Sequence, residues 1–120
     1  MAHILIVDDS PTEIKVIKEI LTEQGHNTSE ASNGEEGVQK AKELLPDLIL
    51  MDVVMPCLNG YQATRQITTS TETKAIPVVL VSAKNLESDK IWGLKMGAKD
   101  YVVKPFKTDD LLEVINRQLG

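Results

Sequence analysis

The chain has 120 residues and a formal net charge of −5, from 13 basic and 18 acidic residues. This length favours a single domain, and the acidic balance argues against a nucleic-acid partner, which would need a clustered basic face. Apolar residues make up 42% of the chain, but no apolar run approaches the ~18 residues of a membrane span. The N-terminus lacks a signal-peptide pattern, and the one cysteine, Cys57, cannot form an internal disulfide. We therefore expect one cytoplasmic domain over residues 1–120, without membrane insertion.

Short apolar runs alternate along the chain with amphipathic segments of helix length. Asn27–Ala31 has little apolar content and fits an edge strand. The other four runs have the composition of strands buried on both faces, and they cover His3–Val7, Leu48–Met51, Pro77–Val81 and Tyr101–Val103.

Helix boundaries are marked by capping residues, proline and glycine. Ser10, Pro11 and Glu13 predict a capping box with proline at the first helical position, and Gly25 supplies the stop of this first helix. The next three helices are predicted over about 33–44, 61–69 and 86–96, and the last begins near residue 108. The last helix is expected to turn four apolar residues inward: Leu111, Leu112, Ile115 and Leu119.

Strand and helix alternate five times in this assignment. Such alternation predicts an α/β fold, a doubly wound five-stranded parallel sheet with right-handed crossovers and helices on both faces. The weak second strand suits an edge, which gives a flavodoxin-like (βα)5 topology of order 2-1-3-4-5. The order then reverses between strands 1 and 3, where open α/β folds place their sites.

Each strongly apolar strand ends at a polar residue. Asp8 and Asp9 follow the first strand, Asp52 the third, Ser82 the fourth and Lys104 the fifth. Because the C-terminal ends of parallel strands share one edge, we expect these side chains to meet in a single crevice.

Three carboxylates this close repel one another, so at least one pKa should rise without compensation. Lys104 neutralises part of the charge, and a hard divalent cation would neutralise the rest. Mg²⁺ prefers oxygen ligands, which Asp8, Asp9 and Asp52 supply, and Mn²⁺ could replace it. Beside the metal, ionised Asp52 could attack a phosphoryl group whose oxygens are stabilised by Lys104 and the Ser82 hydroxyl.

Four motifs together resemble the response-regulator receiver domain, the chemotaxis-regulator type of phosphorylation switch. The resemblance covers Ile4 to about Leu119. The motifs are VDDS (Val7–Ser10), LMDVVMPCLNG (Leu50–Gly60), VSAK (Val81–Lys84) and GAKDYVVKPF (Gly97–Phe106).

The resemblance implies a role for each matching residue of the acidic cluster. Asp52 would be the phosphoacceptor. Asp9 would ligate Mg²⁺ directly and Asp8 mainly through water, with the backbone carbonyl of Val54 as a further ligand. Cys57 stands where members of this family often have glycine or an acid, and we interpret it as incidental.

The resemblance also implies the parts of a switch. Lys104 would contact the phosphoryl group, and the Lys104–Pro105 peptide bond would be cis. Ser82 would move to the phosphoryl group and Tyr101 would change rotamer with it. A histidine kinase would be the phosphoryl donor, and an output protein would contact helix 4, strand 5 and helix 5. Such a domain is a switch with self-catalysed phosphoryl transfer and dephosphorylation, not an enzyme in the ordinary sense.

A narrower resemblance concerns Asn59–Gln66 and Asp89–Tyr101. These segments are similar to stand-alone regulators of pilus-type chemosensory systems, which control twitching motility. Because the chain ends directly after its last helix, we expect no output domain. Output would then be altered binding of another protein or service as a phosphate sink, and the chain would be a monomer or a weak dimer.

Other functions on the same fold remain as alternatives. One is a phosphate-independent interaction module. Another is an aspartyl-phosphate phosphatase, which needs a second acid two residues after the nucleophile, where this chain has Val54. A flavin-binding module is a third, but Asp8 and Asp9 would repel the flavin phosphate. Trp92, the only tryptophan, is predicted to pack within the protein, with a partner contact on helix 4 as the alternative.

Overall fold

The computed structural model describes residues 1–120 as five strands and five helices in strict alternation. None of the helices combines the length and the apolar character that crossing a bilayer requires. Their bounds are β1 His3–Val7, α1 Pro11–Glu23, β2 Asn27–Ala31, α2 Gly34–Leu44, β3 Leu48–Met51, α3 Gly60–Thr69, β4 Val78–Ser82, α4 Glu87–Lys95, β5 Asp100–Val103 and α5 Thr108–Leu119.

The five strands form one parallel sheet in the order β2-β1-β3-β4-β5. The predicted doubly wound sheet and its strand order are therefore confirmed. β2 pairs only with β1 and most of its residues are partly exposed, as its weak apolar content indicated. The strand order reverses direction between β1 and β3, because the chain continues to β2 on one side and to β4 on the other. The C-terminal ends of β1 and β3 therefore border a crevice between helices that cover opposite faces of the sheet.

Alternating side chains divide the core into two layers. Ile4 and Ile6 of β1 pack with apolar residues of α1 and α5, whereas Leu5 and Val7 pack with those of α2 and α3. Successive residues of a strand point to opposite faces of the sheet, and helices cover both faces at its centre. Every residue of β3 and β4 is therefore buried. In α5, however, only Leu111 and Ile115 among the four predicted inward residues are buried.

Helix α4 packs on the sheet through one glycine. Gly93 is its only buried residue, and a Cβ added there would lie 2.6 Å from Leu80 Cδ1. Because this close approach turns Gly93 inward, its neighbours point away from the sheet, and Trp92 keeps 49% of its surface exposed. The prediction that Trp92 packs inside the protein is therefore wrong. Ile91 and Leu94 are also exposed on this helix.

The predicted capping box of α1 is only half formed. Ser10 Oγ accepts a hydrogen bond from the Glu13 backbone N–H, which is the expected half. The Ser10 N–H donates instead to Asp8 Oδ1 at 2.9 Å, so the Glu13 carboxylate has no return partner at the cap. The N-terminus of α1 is thereby fastened to the end of β1, and the carboxylate of Glu13 turns elsewhere.

Candidate functional site

The register of β1 and β3 brings the three aspartates together. Val7 and Met51 are paired residues of the two strands, and the Asp52 N–H donates to the Val7 carbonyl at 2.9 Å. The residues that follow these two strands, Asp8 and Asp9 after β1 and Asp52 after β3, therefore lie side by side at the C-terminal edge of the sheet. Each offers a carboxylate oxygen, and these oxygens lie within 4.8 Å of one another.

Two members of this cluster are buried and one is exposed. Asp8 and Asp52 are almost enclosed, while Asp9 faces solvent. A set of carboxylate oxygens at this spacing, with one side open to water, matches what Mg²⁺ uses in proteins. In the loop that follows, the Val54 carbonyl accepts no backbone hydrogen bond and its side chain is exposed.

Lys104 reaches into the acidic cluster from the end of β5. Its Nζ donates to Asp8 Oδ2 at 2.9 Å and to Glu13 Oε2 at 2.9 Å. Asp52 Oδ1 lies farther away, at 3.6 Å. The lysine side chain is only 11% exposed, so the three carboxylates surround a desolvated ammonium. The Lys104–Pro105 peptide bond is cis, as expected.

Burial and like charge set the protonation of Asp52. Loss of water around the carboxylate and the nearby Asp8 charge raise the pKa of Asp52 to about 6, although Lys104 and the Val53 N–H oppose the shift. Burial alone would lower the pKa of Lys104, but its hydrogen bonds to Asp8 and Glu13 raise it above the ordinary value. Asp52 therefore takes up a proton more readily than an ordinary aspartate, and Lys104 stays charged.

Glu13 is a site residue that the sequence analysis missed. Its type and spacing from Ser10 fit a capping box, and that interpretation assigned its carboxylate to the helix end. The sequence does contain a clue to this role of Glu13, which is the aspartate two residues before Ser10. Asp8 can accept the same Ser10 N–H that a capping-box glutamate would use. With that donor occupied, Glu13 lies free to meet Lys104.

Ser82 and Tyr101 meet at the backbone of one residue. Ser82 is fully buried, and its Oγ accepts a hydrogen bond from the Lys84 N–H at 3.2 Å. The Tyr101 hydroxyl donates to the Lys84 carbonyl at 2.9 Å. Lys84 lies in the loop that leads into α4, so a displacement of either side chain would move this loop directly.

The loop after β3 is shaped by two unusual backbone positions. Cys57 is exposed and adopts a φ of 65°, in the left-handed region that favours glycine. Gly60 opens α3 so close to β3 that an added Cβ would lie 2.0 Å from the Asp52 carbonyl oxygen. A complete capping box between Asn59 and Gln62 fixes the start of this helix. Together these contacts hold the backbone of Asp52 in place.

Comparisons with known proteins agree with this geometry. A profile of the response regulator receiver domain matches residues 4–116. The protein PilH of Pseudomonas aeruginosa is 52% identical over 120 residues, which cover 100% of this chain and 99% of PilH. The chemotaxis protein CheY of Bacillus subtilis is 42% identical over 122 residues, covering 100% of both chains.

A solved structure gives the same result. The receiver domain of a sensor histidine kinase from Pseudomonas aeruginosa, crystallised with a magnesium ion coordinated in the active-site cleft, is 34% identical. It superimposes with a TM-score of 0.92 over 99% of this chain and 98% of that one. Receiver domains are the phosphorylation switches of two-component signalling and take phosphoryl groups from histidine kinases. This chain belongs to the response regulator receiver domain family.

Proposed function

We propose that this chain is a stand-alone response regulator that accepts a phosphoryl group on Asp52 in a Mg²⁺-dependent reaction. The observation that carries the proposal is the position of Asp52, a buried carboxylate at the end of β3 with Asp8, Asp9 and Lys104 around it. Stand-alone action is supported by the matches to PilH and CheY, which span nearly the whole length of both relatives.

The proposed metal ligands are oxygen atoms of this edge. Asp9, Asp52 and the Val54 carbonyl would hold Mg²⁺ directly, and Asp8 would act mainly through water. The carboxylate spacing and the unpaired Val54 carbonyl support this assignment. When bound, the cation would offset the repulsion among the carboxylates and the negative charge of the phosphoryl oxygens. Mn²⁺ accepts the same type of ligand and should substitute.

The transfer step needs a nucleophile and a neutralised phosphoryl group. An ionised oxygen of Asp52 would attack the phosphorus of a phosphohistidine, forming a P–O bond as the P–N bond breaks. The imidazole, protonated beforehand by solvent on its other ring nitrogen, would leave as the neutral base. Lys104 Nζ, 3.6 Å from Asp52 Oδ1, is close enough to contact the transferred oxygens. The Ser82 hydroxyl would hydrogen-bond another of them.

The proposed output runs through Lys84 into α4. Ser82 and Tyr101 both hydrogen-bond the Lys84 backbone, so drawing Ser82 toward the phosphoryl group would release the Lys84 N–H and let Tyr101 turn inward. The surface of α4, β5 and α5 would change for an output protein. Amide chemical shifts over 84–106 should then move when beryllofluoride is added. Changes confined to the loop after Asp52 would contradict this route.

The biological setting is part of the proposal. Similarity to PilH and the segments Asn59–Gln66 and Asp89–Tyr101 support a place in a pilus-type chemosensory system, with a histidine kinase as donor. Either altered binding of an output protein or drainage of phosphoryl groups from that kinase would fit the site. A phosphatase is disfavoured because the position for its general acid holds Val54, an exposed apolar side chain.

Intact-mass measurement after incubation with acetyl phosphate tests the proposal. The wild type should gain one phosphoryl group only with Mg²⁺ present, and the adduct should be labile to base. Asp52→Asn should gain none. Asp109→Asn is a matched control, since it removes an exposed carboxylate from the first turn of α5.

Two results would count against the proposal. A phosphoryl adduct retained in Asp52→Asn would move the acceptor elsewhere. No adduct in the wild type, together with no binding of beryllofluoride, would favour a phosphate-independent interaction module on the receiver fold.

A further inference from the structure

Lys104 is shared among three carboxylates, and it lies closest to two that accept no phosphoryl group in the proposed reaction. Its Nζ is 2.9 Å from both Asp8 Oδ2 and Glu13 Oε2, against 3.6 Å from Asp52 Oδ1. The lysine is therefore held on the α1 side of the crevice. Asp8 belongs to the proposed metal site, but Glu13 lies outside it and its side chain is 45% exposed.

Glu13 can reach Lys104 because the helix cap does not use its carboxylate. The Ser10 N–H, which a capping-box glutamate would bind, is taken by Asp8 Oδ1. The Ser10 hydroxyl still fixes the Glu13 backbone at the third helical position. The carboxylate is thus anchored by its backbone and aimed at the ammonium.

We propose that Glu13 is a positioning residue that restrains Lys104 away from Asp52 and so disfavours the phosphorylated state. This inference rests on the proposed function, because it concerns the lysine that would contact the phosphoryl group. Lys104 Nζ lies near enough to meet a phosphoryl group on Asp52, but a short ion pair with its oxygens would draw Nζ toward the end of β3 and away from Glu13. That movement would weaken the charge-assisted hydrogen bond to Glu13.

Charge acts in the same direction as geometry. A phosphoryl group on Asp52 would bring further negative charge toward the Glu13 carboxylate, on the opposite side of the ammonium. Mg²⁺ at the aspartates would offset the charge of Asp8, whereas Glu13 lies outside that ligand set. Removing the Glu13 charge should therefore favour the phosphorylated arrangement.

Beryllofluoride, a phosphoryl mimic, provides the test. Its dissociation constant would be measured by ¹⁹F NMR at fixed Mg²⁺ for the wild type, Glu13→Gln and Glu19→Gln. Glu19 lies on the exposed side of the same helix and makes no ion pair, so its variant carries the same charge change without the Lys104 contact. Glu13→Gln should bind roughly two- to fivefold more tightly than Glu19→Gln, as expected for loss of a partly exposed ion pair.

Salt dependence separates this role from a structural one. Because the Glu13 carboxylate is partly exposed, its effect on Lys104 should be screened, and the affinity difference should shrink as salt rises to about 1 M. A change caused by altered packing would persist. Glu13→Asp, with a shorter side chain, keeps the charge but weakens the contact, and its affinity should fall between those of the wild type and Glu13→Gln.

The outcomes are distinguishable. Equal affinities of Glu13→Gln and Glu19→Gln, or weaker binding by Glu13→Gln, would overturn the restraining role while leaving the proposed function intact. Absence of beryllofluoride binding by the wild type would overturn the proposed function and this inference with it. Thermal unfolding of each variant would verify that the fold is retained.

Discussion

Tyr61 is joined to Asp89 by a hydrogen bond that ties α3 to the first turn of α4. Its hydroxyl donates to the Asp89 carbonyl at 3.1 Å. The far end of α4 is held from the same helix, since Thr68 Oγ1 donates to the Met96 carbonyl at 2.9 Å. Burial and the neighbouring Tyr101 hydroxyl raise the pKa of Tyr61, which keeps it a donor across the ordinary pH range. Two side-chain hydroxyls thus secure a helix that buries only Gly93.

Tyr61→Phe should loosen α4 without unfolding the domain. The variant keeps the ring but loses the hydrogen bond to Asp89, at a cost of about 0.5–1.5 kcal/mol in the free energy of unfolding. Amide hydrogen exchange over Glu87–Lys95 should accelerate more than exchange in α1 or α5. Thr69→Val is the control, because the Thr69 hydroxyl bonds only the carbonyl of Arg65 in its own helix. Unchanged exchange in α4 of Tyr61→Phe would show that the hydroxyl does not secure the helix.

Trp92→Ala should change the free energy of unfolding by less than about 1 kcal/mol, because the side chain is half exposed on a weakly packed helix. Ile67→Ala, which truncates a fully buried residue of α3, should cost about 2–5 kcal/mol. Urea denaturation followed by circular dichroism compares the two. A loss at Trp92 equal to that at Ile67 would mean that the indole is buried in solution. A small loss at Trp92 would agree with an exposed indole that an output protein could contact.

The sheet and the acidic cluster could be predicted from the sequence because both follow from local pattern. Apolar runs bounded by charged residues define strands, and parallel pairing then places the residues after each strand at one edge. The strand pattern alone, without side-chain conformations, places Asp8, Asp52 and Lys104 at that edge. The structure brings them within hydrogen-bonding or ion-pair distance.

The features that escaped prediction depend on side-chain partners and a helix orientation that the local sequence pattern does not decide. The Glu13 carboxylate could accept a hydrogen bond from the Ser10 N–H or from Lys104. Because the Ser10 N–H already donates to Asp8, Glu13 pairs with Lys104. In α4 the apolar residues have no regular helical spacing, so the sequence did not reveal that Gly93 faces the sheet. The exposure of Trp92 follows from that orientation and could not be foreseen before it.

Gly60→Ala should disrupt the site through the backbone of Asp52. The added Cβ would lie 2.0 Å from the Asp52 carbonyl oxygen and 2.7 Å from the Val53 Cα, and these backbone atoms cannot move without shifting the loop. We expect a loss of about 1–3 kcal/mol in the free energy of unfolding. Weaker Mg²⁺ binding, measured by titration calorimetry, should accompany it. Gln66→Ala is the control, since it changes an exposed side chain of the same helix and leaves the backbone of Asp52 untouched. Wild-type stability and Mg²⁺ affinity in Gly60→Ala would show that the loop tolerates the displacement.

The raised pKa of Asp52 makes stability depend on pH in a defined direction. The folded protein holds the Asp52 proton with a pKa of about 6, whereas the unfolded chain has the ordinary value of 3.8. Protonated Asp52 therefore favours folding below the unfolded value, and this contribution disappears as pH rises through about 6. Above that pH the ionised carboxylate, buried beside Asp8, destabilises the metal-free protein.

Asp52→Asn should remove this contribution, because the amide is neutral at every pH. In EDTA at pH 8 the variant should be more stable than the wild type by about 1–3 kcal/mol, the order expected for a shift of this size. At pH 4 the difference should be small, since Asp52 is then protonated in the folded state. Urea denaturation at both pH values measures it, with Asp109→Asn as the exposed control. Equal stability of Asp52→Asn and wild type at pH 8 would mean that Lys104 fully compensates the Asp52 charge without a metal.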